Sequence, residues 1–294
     1  MQLLTTAEAA AYLRLKERKI YEMVAEGAVP CTKVTGRWLF PKAELDHWLA
    51  ASVLRPAGVV RSEPAPIITG SHDPLLEWAL RESGSGLATL PEGSEAGLQR
   101  LGHGEVMAAA IHLHRTEGND DNANADAVAN APGLHDGVVI AFARREQGLL
   151  VAPGNPLKLS DIASVAASRA RIALRPRGAG AQLLLLLLLA QTGLAFEALN
   201  AIKPPCPTGP DIAQAVRTNR ADCGIATRAV ALSAGLDFVP LTWERFDLVL
   251  RQRDYFMPGP QTLFGFLRTP AFRDHSIELQ GYDVTDAGRV RHVN

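Results

Sequence analysis

A chain of 294 residues, 47% of them hydrophobic, is long enough for one large or two modest domains with real cores. Its 30 Lys and Arg against 31 Asp and Glu leave a formal net charge of −1, which excludes a protein that coats nucleic acid or a membrane surface, so any DNA contact is local. Cys31, Cys206 and Cys223 are widely spaced without a CxxC pair, which excludes a disulfide framework and a zinc ribbon and fits a reduced cytoplasm.

The N-terminus lacks the basic segment, apolar core and cleavage site of a signal peptide, so a cytoplasmic location is expected. Thr5 or Thr6 with Glu8 forms a helix start, and Ala9, Ala10 and Leu13 supply the apolar stripe of a helix over Ala7 to Leu13. After Arg14-Leu15-Lys16 a second helix, Glu17 to Glu26, buries Ile20 and Val24 and stops at Gly27. Val29 to Val34 and Trp38 to Phe40 then alternate as two strands around Thr35-Gly36-Arg37. Pro41 opens a third helix, Lys42 to Leu49. The whole is a helix-turn-helix with a hairpin wing, occupying residues 1–50.

Leu4-Thr5-Thr6-Ala7-Glu8-Ala9-Ala10, Leu13, Ile20-Tyr21, Gly27, Val29-Pro30, Gly36-Arg37-Trp38-Leu39-Phe40 and Leu45-Asp46-His47-Trp48-Leu49 together resemble the excisionase-type winged helix related to the MerR regulators. The resemblance implies that the second helix enters the major groove of double-stranded DNA while the wing touches the backbone or minor groove. The DNA-binding candidates are then Lys16, Arg18, Lys19 and Tyr21 on the helix and Lys33 and Arg37 on the wing. For any one cation the alternative is a solvated surface charge, and for Tyr21 and Trp38 a place in the core or against a phosphate. Seven basic against six acidic residues leave this segment only +1, so one copy binds DNA weakly at physiological salt and a homodimer on two half-sites is expected.

Residues 51–66 read as a linker of prolines and small residues. Beyond it, strands predicted at Ile67–Thr69, Val106–Leu113, Val138–Ala143, Gly148–Val151, Arg171–Leu174, Cys223–Ile225 and Phe238–Leu241 alternate with helices at Pro74–Glu82, Ser94–Leu101, Leu159–Ser168, Ala181–Gln191 and Ile212–Thr218. That alternation predicts an α/β domain with mostly parallel strands, binding its ligand beyond the strands' C-terminal ends. The run Leu183 to Leu189 is far too short to cross a membrane and reads as a helix buried on all sides.

Four strand-to-helix corners stand out: residues 67–77, where Gly70 permits a sharp turn and Ser71 or Asp73 caps the helix after Pro74; residues 90–95; residues 174–181; and residues 207–211. At such corners unpaired N–H groups and the helix dipole favour an anion, and four of them converging on one crevice would make a site.

In the same stretch Thr69-Gly70-Ser71-His72-Asp73, Gly93-Ser94, Gly104-Glu105, His112-Leu113, Arg145-Glu146-Gln147-Gly148-Leu149, Ala152-Pro153-Gly154-Asn155-Pro156, Arg220-Ala221-Asp222-Cys223-Gly224 and Gly281-Tyr282-Asp283 resemble a type II periplasmic-binding-protein-like domain. More closely, they resemble the cytoplasmic version fused behind a helix-turn-helix in regulators related to molybdate and tungstate sensing. The resemblance implies a two-lobed sensor over 67–294, with lobe I about 67–147 and 240–294, lobe II about 148–239, and crossings near 144–151 and 236–250. Closure on a small anion would reorient the winged helices. Sites of this kind use N–H groups and hydroxyls, so Thr69, Ser71, Ser94 and Thr208 are carried over as ligand-binding hydroxyls. They stand with His72, Gly93, Arg177, Gly180, Ala181 and Asp211 at the corners. Each hydroxyl also reads as an N-cap. Gly178-Ala179-Gly180-Ala181 lacks the two hydroxyls of the usual Gly-Ser-Gly-Thr, which keeps a small carboxylate open beside molybdate or tungstate as effector.

His112 and His114, with His72, have the beginnings of a metal set but no third close ligand, so no metal is assigned. Residues 117–136, rich in Asn, Asp and Ala, read as a surface loop or a lid. Glu244, Arg245 and Asp247 read as a hinge salt bridge or a solvated cluster. No nucleophile-base spacing or Walker loop appears, and no enzyme or cofactor is expected. The sequence therefore points to a ligand-responsive transcriptional regulator. The alternative is a small-molecule binding protein whose helix-turn-helix is architectural, as in excisionases.

Overall fold

A computed structural model of the chain describes residues 2–34, 36–52, 63–114 and 120–294. The chain divides into two compact units, Met1–Arg61 and Ser62–Asn294. Most of the expected linker, residues 53–62, lies outside the described residues, as does Thr35 of the hairpin turn.

In the first unit the order is β1 (Leu3–Leu4), α1 (Thr6–Leu13), α2 (Glu17–Ala25), β2 (Thr32–Val34), β3 (Arg37–Pro41) and α3 (Lys42–Ser52). Thr5 and Glu8 close a capping box at the start of α1, the Thr5 side chain accepting from the Glu8 N–H while the Glu8 carboxylate accepts from the Thr5 N–H. Leu4, Ala9, Ala10, Ile20, Val29, Phe40 and Leu45 form the core. β1 was not expected; its two residues are too short to show alternation, yet they pair with Pro41 and Phe40 on β3 and make the wing three-stranded.

The second unit runs β4 (Ala65–Gly70), α4 (Pro74–Ser83), β5 (Ala88–Pro91), α5 (Ser94–His103), β6 (Val106–Ile111), α6 (Ala123–Ala129) and β7 (Gly137–Val151). It continues α7 (Ile162–Ala167), β8 (Arg171–Ala173), α8 (Gly180–Thr192), β9 (Asn200–Ile202), α9 (Gly209–Arg217), β10 (Cys223–Thr227), α10 (Arg228–Ser233) and β11 (Asp237–Arg251). It ends α11 (Gln252–Tyr255), α12 (Pro258–Phe266), α13 (Pro270–Leu279), β12 (Tyr282–Asp283) and β13 (Val290–Val293). The path through its sheet is β5-β4-β6-β11-β7-β10-β8-β9. The helix-linked strands are parallel within each lobe, but β7 and β11 pair antiparallel with each other and with their neighbours, which corrects the mostly parallel sheet expected from the alternation of strands and helices.

The two strands predicted at Val138–Ala143 and Gly148–Val151 are one strand, β7, apolar at both ends and polar at Arg144-Arg145-Glu146-Gln147. β11 has the same layout around Trp243-Glu244-Arg245, and the register sets Glu244 opposite Arg145. The apolar ends of the pair lie in separate cores, one around Phe142, Phe246 and Leu248 in the first lobe and one around Leu149, Val151 and Ile225 in the second. The polar middles are where the strands pass between lobes.

Three further expectations change. Residues 117–136 are not a loop throughout: α6 buries Val128, and Leu134 follows it into the core. The buried Asn124 is satisfied by accepting from the Leu113 N–H at 2.9 Å and donating to Asp247 at 2.8 Å. Composition conceals this helix because small residues and one bonded amide occupy its inner face; residues 117–119 lie outside the described residues. α8 covers its sheet with one face, so Leu186 is 45% exposed and the helix is not buried on all sides. β6 stops at Ile111, so His112 and His114 lie on the segment after the strand and not within it.

Candidate functional site

The site grows from the four corners. At the end of β4, Gly70 has φ +98° and a Cβ there would meet the Ala110 carbonyl oxygen at 2.2 Å, so only glycine makes this turn. The Gly70 carbonyl accepts from the N–H groups of Glu92 and Gly93, both at 2.8 Å, tying the first corner to the second. Asp73, not Ser71, caps α4, accepting from the Leu76 N–H at 3.0 Å. The Ser71 and Ser94 hydroxyls are 2.9 Å apart, and Ser94 Oγ also bonds the backbone of His112.

From the other lobe, α8 begins against this assembly. A Cβ on Gly180 would lie 2.2 Å from His112 Cε1 and 2.3 Å from its carbonyl oxygen, and a Cβ on Gly93 would touch Ala179. The start of α5 therefore faces the start of α8 across a closed crevice.

Between the corners sits a buried charge chain. Because strand side chains alternate, Arg145 and Gln147 point to one side of β7 while exposed Arg144 points to the other. Arg145 donates to Asp73 at 2.8 Å and to Glu244 at 2.7 Å; Gln147 donates to Glu244 at 2.8 Å, and Tyr282 donates to Asp73 at 3.0 Å. Nδ1 of His112 and Nε2 of His114 each lie 2.9 Å from a Glu244 oxygen. Burial works against each charge, but Glu244 and Asp73 hold the Arg145 guanidinium protonated, and His112 and Arg145 keep Glu244 well below the usual carboxylate range. Burial pushes His112 down to about 4, so its imidazole is neutral at pH 7.

His112, His114 and Glu244 bring three ligand atoms within 4.8 Å of one another, the third partner that spacing alone did not supply. Glu244 is already held by protein donors at 2.7–2.9 Å with the Arg145 charge against it, so the cluster is built as an ion-pair hub between lobe and hinge. Of the two readings of Glu244, the hinge salt bridge is the one observed.

Above this hub lies a small cavity of about 20 Å³, space for about one water. Ser71, His72, His112, Arg145, Gln147, Arg175, Ala181, Gly209 and Thr227 are on its wall. Among the described residues six buried side-chain polar atoms lack a hydrogen-bond partner, and four of them, on His112, Gln147, Arg175 and Thr227, belong to that wall. His112 Nδ1 lies 2.9 Å from Glu244 Oε1 and so is engaged by the hub, which leaves Gln147 Oε1, Arg175 Nε and the Thr227 hydroxyl for a ligand. Buried polar groups are rarely left unpaired, so this concentration makes the cavity the candidate site. Arg175 is lowered to about 10 by burial and by Arg145, so a bound negative charge would restore it. A larger open hollow of about 780 Å³ between α5 and α6 holds none of these atoms, and convergent polar groups outweigh volume in choosing the site.

The corner residues are distributed as follows. Ser71, His72 and Ala181 line the cavity, with Gly180, Gly93 and Ser94 at the lobe contact behind it. The Thr69 hydroxyl donates to Leu90 and Glu92 within its lobe. Thr208 and Asp211 close a capping box at α9, leaving the neighbouring Gly209 on the wall. Arg177 is exposed and off the wall. Arg145, Gln147, Arg175 and Thr227 were missed. The one signal for the first two was a charged and an amide residue interrupting an apolar strand.

On the first unit, Arg18 and Lys19 are exposed and paired with Glu22 at 3.3 Å, Tyr21 is 51% exposed and so is no core residue, and Lys33 lies 5.2 Å over the Trp38 ring. Lys16 stands at the N-cap of α2 and Arg37 at the start of β3, both exposed.

Comparison with known proteins agrees with this layout. A helix-turn-helix domain matches residues 3–52. Protein YvgK of Bacillus subtilis (strain 168), itself uncharacterized, is 22% identical over 302 residues, covering 97% of this chain and 96% of that protein. The tungstate ABC transporter structure from Geobacter sulfurreducens superposes with a TM-score of 0.52 at 14% identity, over 71% of this chain and 95% of that one. A putative phosphate ABC transporter substrate-binding protein with bound phosphate from Clostridium perfringens gives 0.53 at 13%, over 72% and 96%. These likenesses show the fold: two α/β lobes behind a helix-turn-helix domain. With the PBP superfamily domain matching residues 77–268, the chain belongs to the PBP superfamily.

Proposed function

We propose that this protein is a ligand-responsive DNA-binding regulator that senses a small anion between the lobes of its second unit. The observation that carries the reading is the set of three unpaired buried polar atoms, on Gln147, Arg175 and Thr227, that share one inter-lobe cavity. Closure seats Gly180 against His112, so a ligand that bridges the lobes favours the closed state by its extra contacts there. The helix-turn-helix supplies the output, with Lys16, Arg18, Lys19, Tyr21, Lys33 and Arg37 as its DNA face and a homodimer as the binding form. Molybdate and tungstate remain candidate effectors, as do phosphate and small carboxylates. The solved neighbours named for tungstate and phosphate agree with a small oxyanion, and the missing hydroxyls at Ala179 and Ala181 favour the others.

The test is a thermal-shift titration of phosphate-free protein against these anions, followed by footprinting with and without the one that binds. A ligand at about 100 times its Kd adds roughly 2.7 kcal/mol, enough to raise the melting point visibly. A footprint that changes with ligand supports the sensor. A footprint indifferent to a ligand that binds would favour the architectural alternative.

A further inference from the structure

Resting on that reading, we infer that the crevice selects an anion that also carries a hydrogen-bond donor, a protonated oxyanion or a hydroxy- or amino-carboxylate, over fully deprotonated oxyanions. The unpaired atoms on the wall are of both kinds. Arg175 Nε is a donor: its Nη2 is spent on the Pro207 carbonyl at 2.7 Å, and Nε is left for a ligand. The Thr227 hydroxyl stands at the N-cap of α10 but makes no capping bond, and it can donate or accept. Gln147 Oε1 is an acceptor only.

The orientation of the Gln147 amide is fixed by its surroundings. Its Nε2 donates to Glu244 Oε1 at 2.8 Å, the same oxygen that accepts from Arg145 Nε at 2.7 Å. Turning the amide over would set its oxygen against a carboxylate oxygen, so the acceptor must face away from Glu244, on the cavity side. Glu244 stays ionised there, held by Arg145 and the histidines. Sulfate, molybdate and tungstate offer acceptors alone at neutral pH. They would satisfy Arg175 and Thr227 and leave Gln147 Oε1 facing another oxygen, unpaired and repelled. Hydrogen phosphate keeps one proton, and glycolate keeps a hydroxyl, so each can pair with that acceptor. The closed cavity has space for about one water, so such a ligand enters with the lobes further apart and only a small one lets them close on it. The same chemistry argues against the tungstate-like effector.

Isothermal titration of the full chain at pH 7.5 tests this with two matched pairs, phosphate against sulfate and glycolate against acetate. The donor-bearing member of at least one pair is expected to bind about tenfold more tightly or better, ~1.4 kcal/mol. Which pair shows the preference identifies the source as a protonated oxyanion or a hydroxycarboxylate. In Gln147→Met, which keeps the length and removes the acceptor, the ratio should fall toward one. Should that variant not fold, Thr227→Val is read instead: with Gln147 Oε1 still present all binders should weaken and the preference persist, and loss of the preference in Thr227→Val would assign the acceptor to Thr227 and overturn the role given to Gln147. Sulfate binding as tightly as phosphate together with acetate as tightly as glycolate overturns the inference and leaves the anion site standing. A preference that survives in Gln147→Met overturns it as well. Binding of none of the four at 10 mM, roughly ten times the concentration for a 1 mM Kd, overturns the crevice reading itself.

Discussion

Lowering the pH from 6.5 toward 4 should destabilise the second unit through His112. The imidazole is buried beside Arg145, and its folded-state value is about 4 against 6.5 when unfolded. Between those values the unfolded chain binds a proton that the folded one refuses, so stability rises with pH across this window. The contribution is complete above 6.5 and is lost as pH falls to about 4. At about 1.36 kcal/mol per unit it amounts to about 3 kcal/mol. Glu244, which is depressed, loses its contribution only below the ordinary carboxylate value of 4.5, and Asp247, raised by burial in spite of Arg291 and Asn124, acts with opposite sign above 3.8. Asp247, bonded to Asn124 and Arg291, drops out when the protein is compared with His112→Gln at each pH, whereas Glu244, in contact with His112, is felt only at the acid end of the range. Calorimetric melting of the two proteins from pH 4 to 7 is the assay. For a domain of this size 1 kcal/mol moves the Tm by about 2–4 °C, so the wild type should lose about 6–12 °C more than the variant on acidification. Parallel curves for the two proteins would refute the assignment of the acid sensitivity to His112.

Three other outcomes follow from the same geometry. Glu244→Ala leaves Arg145 with Asp73 alone and should cost about 3–5 kcal/mol by chemical denaturation, the usual result of breaking a buried pair; a loss under 1 kcal/mol would mean that solvent reaches the hub. Gly180→Ala places a methyl within 2.3 Å of His112 atoms from the opposing lobe, so small-angle scattering should show a more open second unit and ligand affinity should fall about 100-fold, the equivalent of ~2.7 kcal/mol. An unchanged scattering profile and affinity would show that the contact yields easily. On the DNA face, Arg18 and Lys19 are tied to Glu22 only by exposed ion pairs, which cost little to break. Replacing Lys16, Arg18 and Lys19 by Ala should lower the salt slope of operator binding by roughly one for each DNA phosphate left unneutralised, and a slope left intact would move the DNA face elsewhere.

The features legible along the chain are those written in short-range pattern. The Thr5–Glu8 cap, the apolar spacing at Ala9, Ala10 and Ile20 and the residues flanking the wing announce the winged helix. Gly70, Asp73 and Pro74 likewise announce their corner, because turn and cap chemistry depend on neighbours along the chain. The Asn- and Ala-rich stretch failed that test, since α6 is held by Asn124 reaching Asp247, 123 positions away. Tertiary structure alone decided the site. Asp73 meets Arg145 across 72 positions, Glu244 meets it across 99, and Arg175 and Thr227 reach the same wall from a third and a fourth segment. No local periodicity encodes such pairings. They exist because β7 and β11 run antiparallel through both lobes and set their polar middles side by side, which buries the charges together and leaves the unpaired groups where the lobes close.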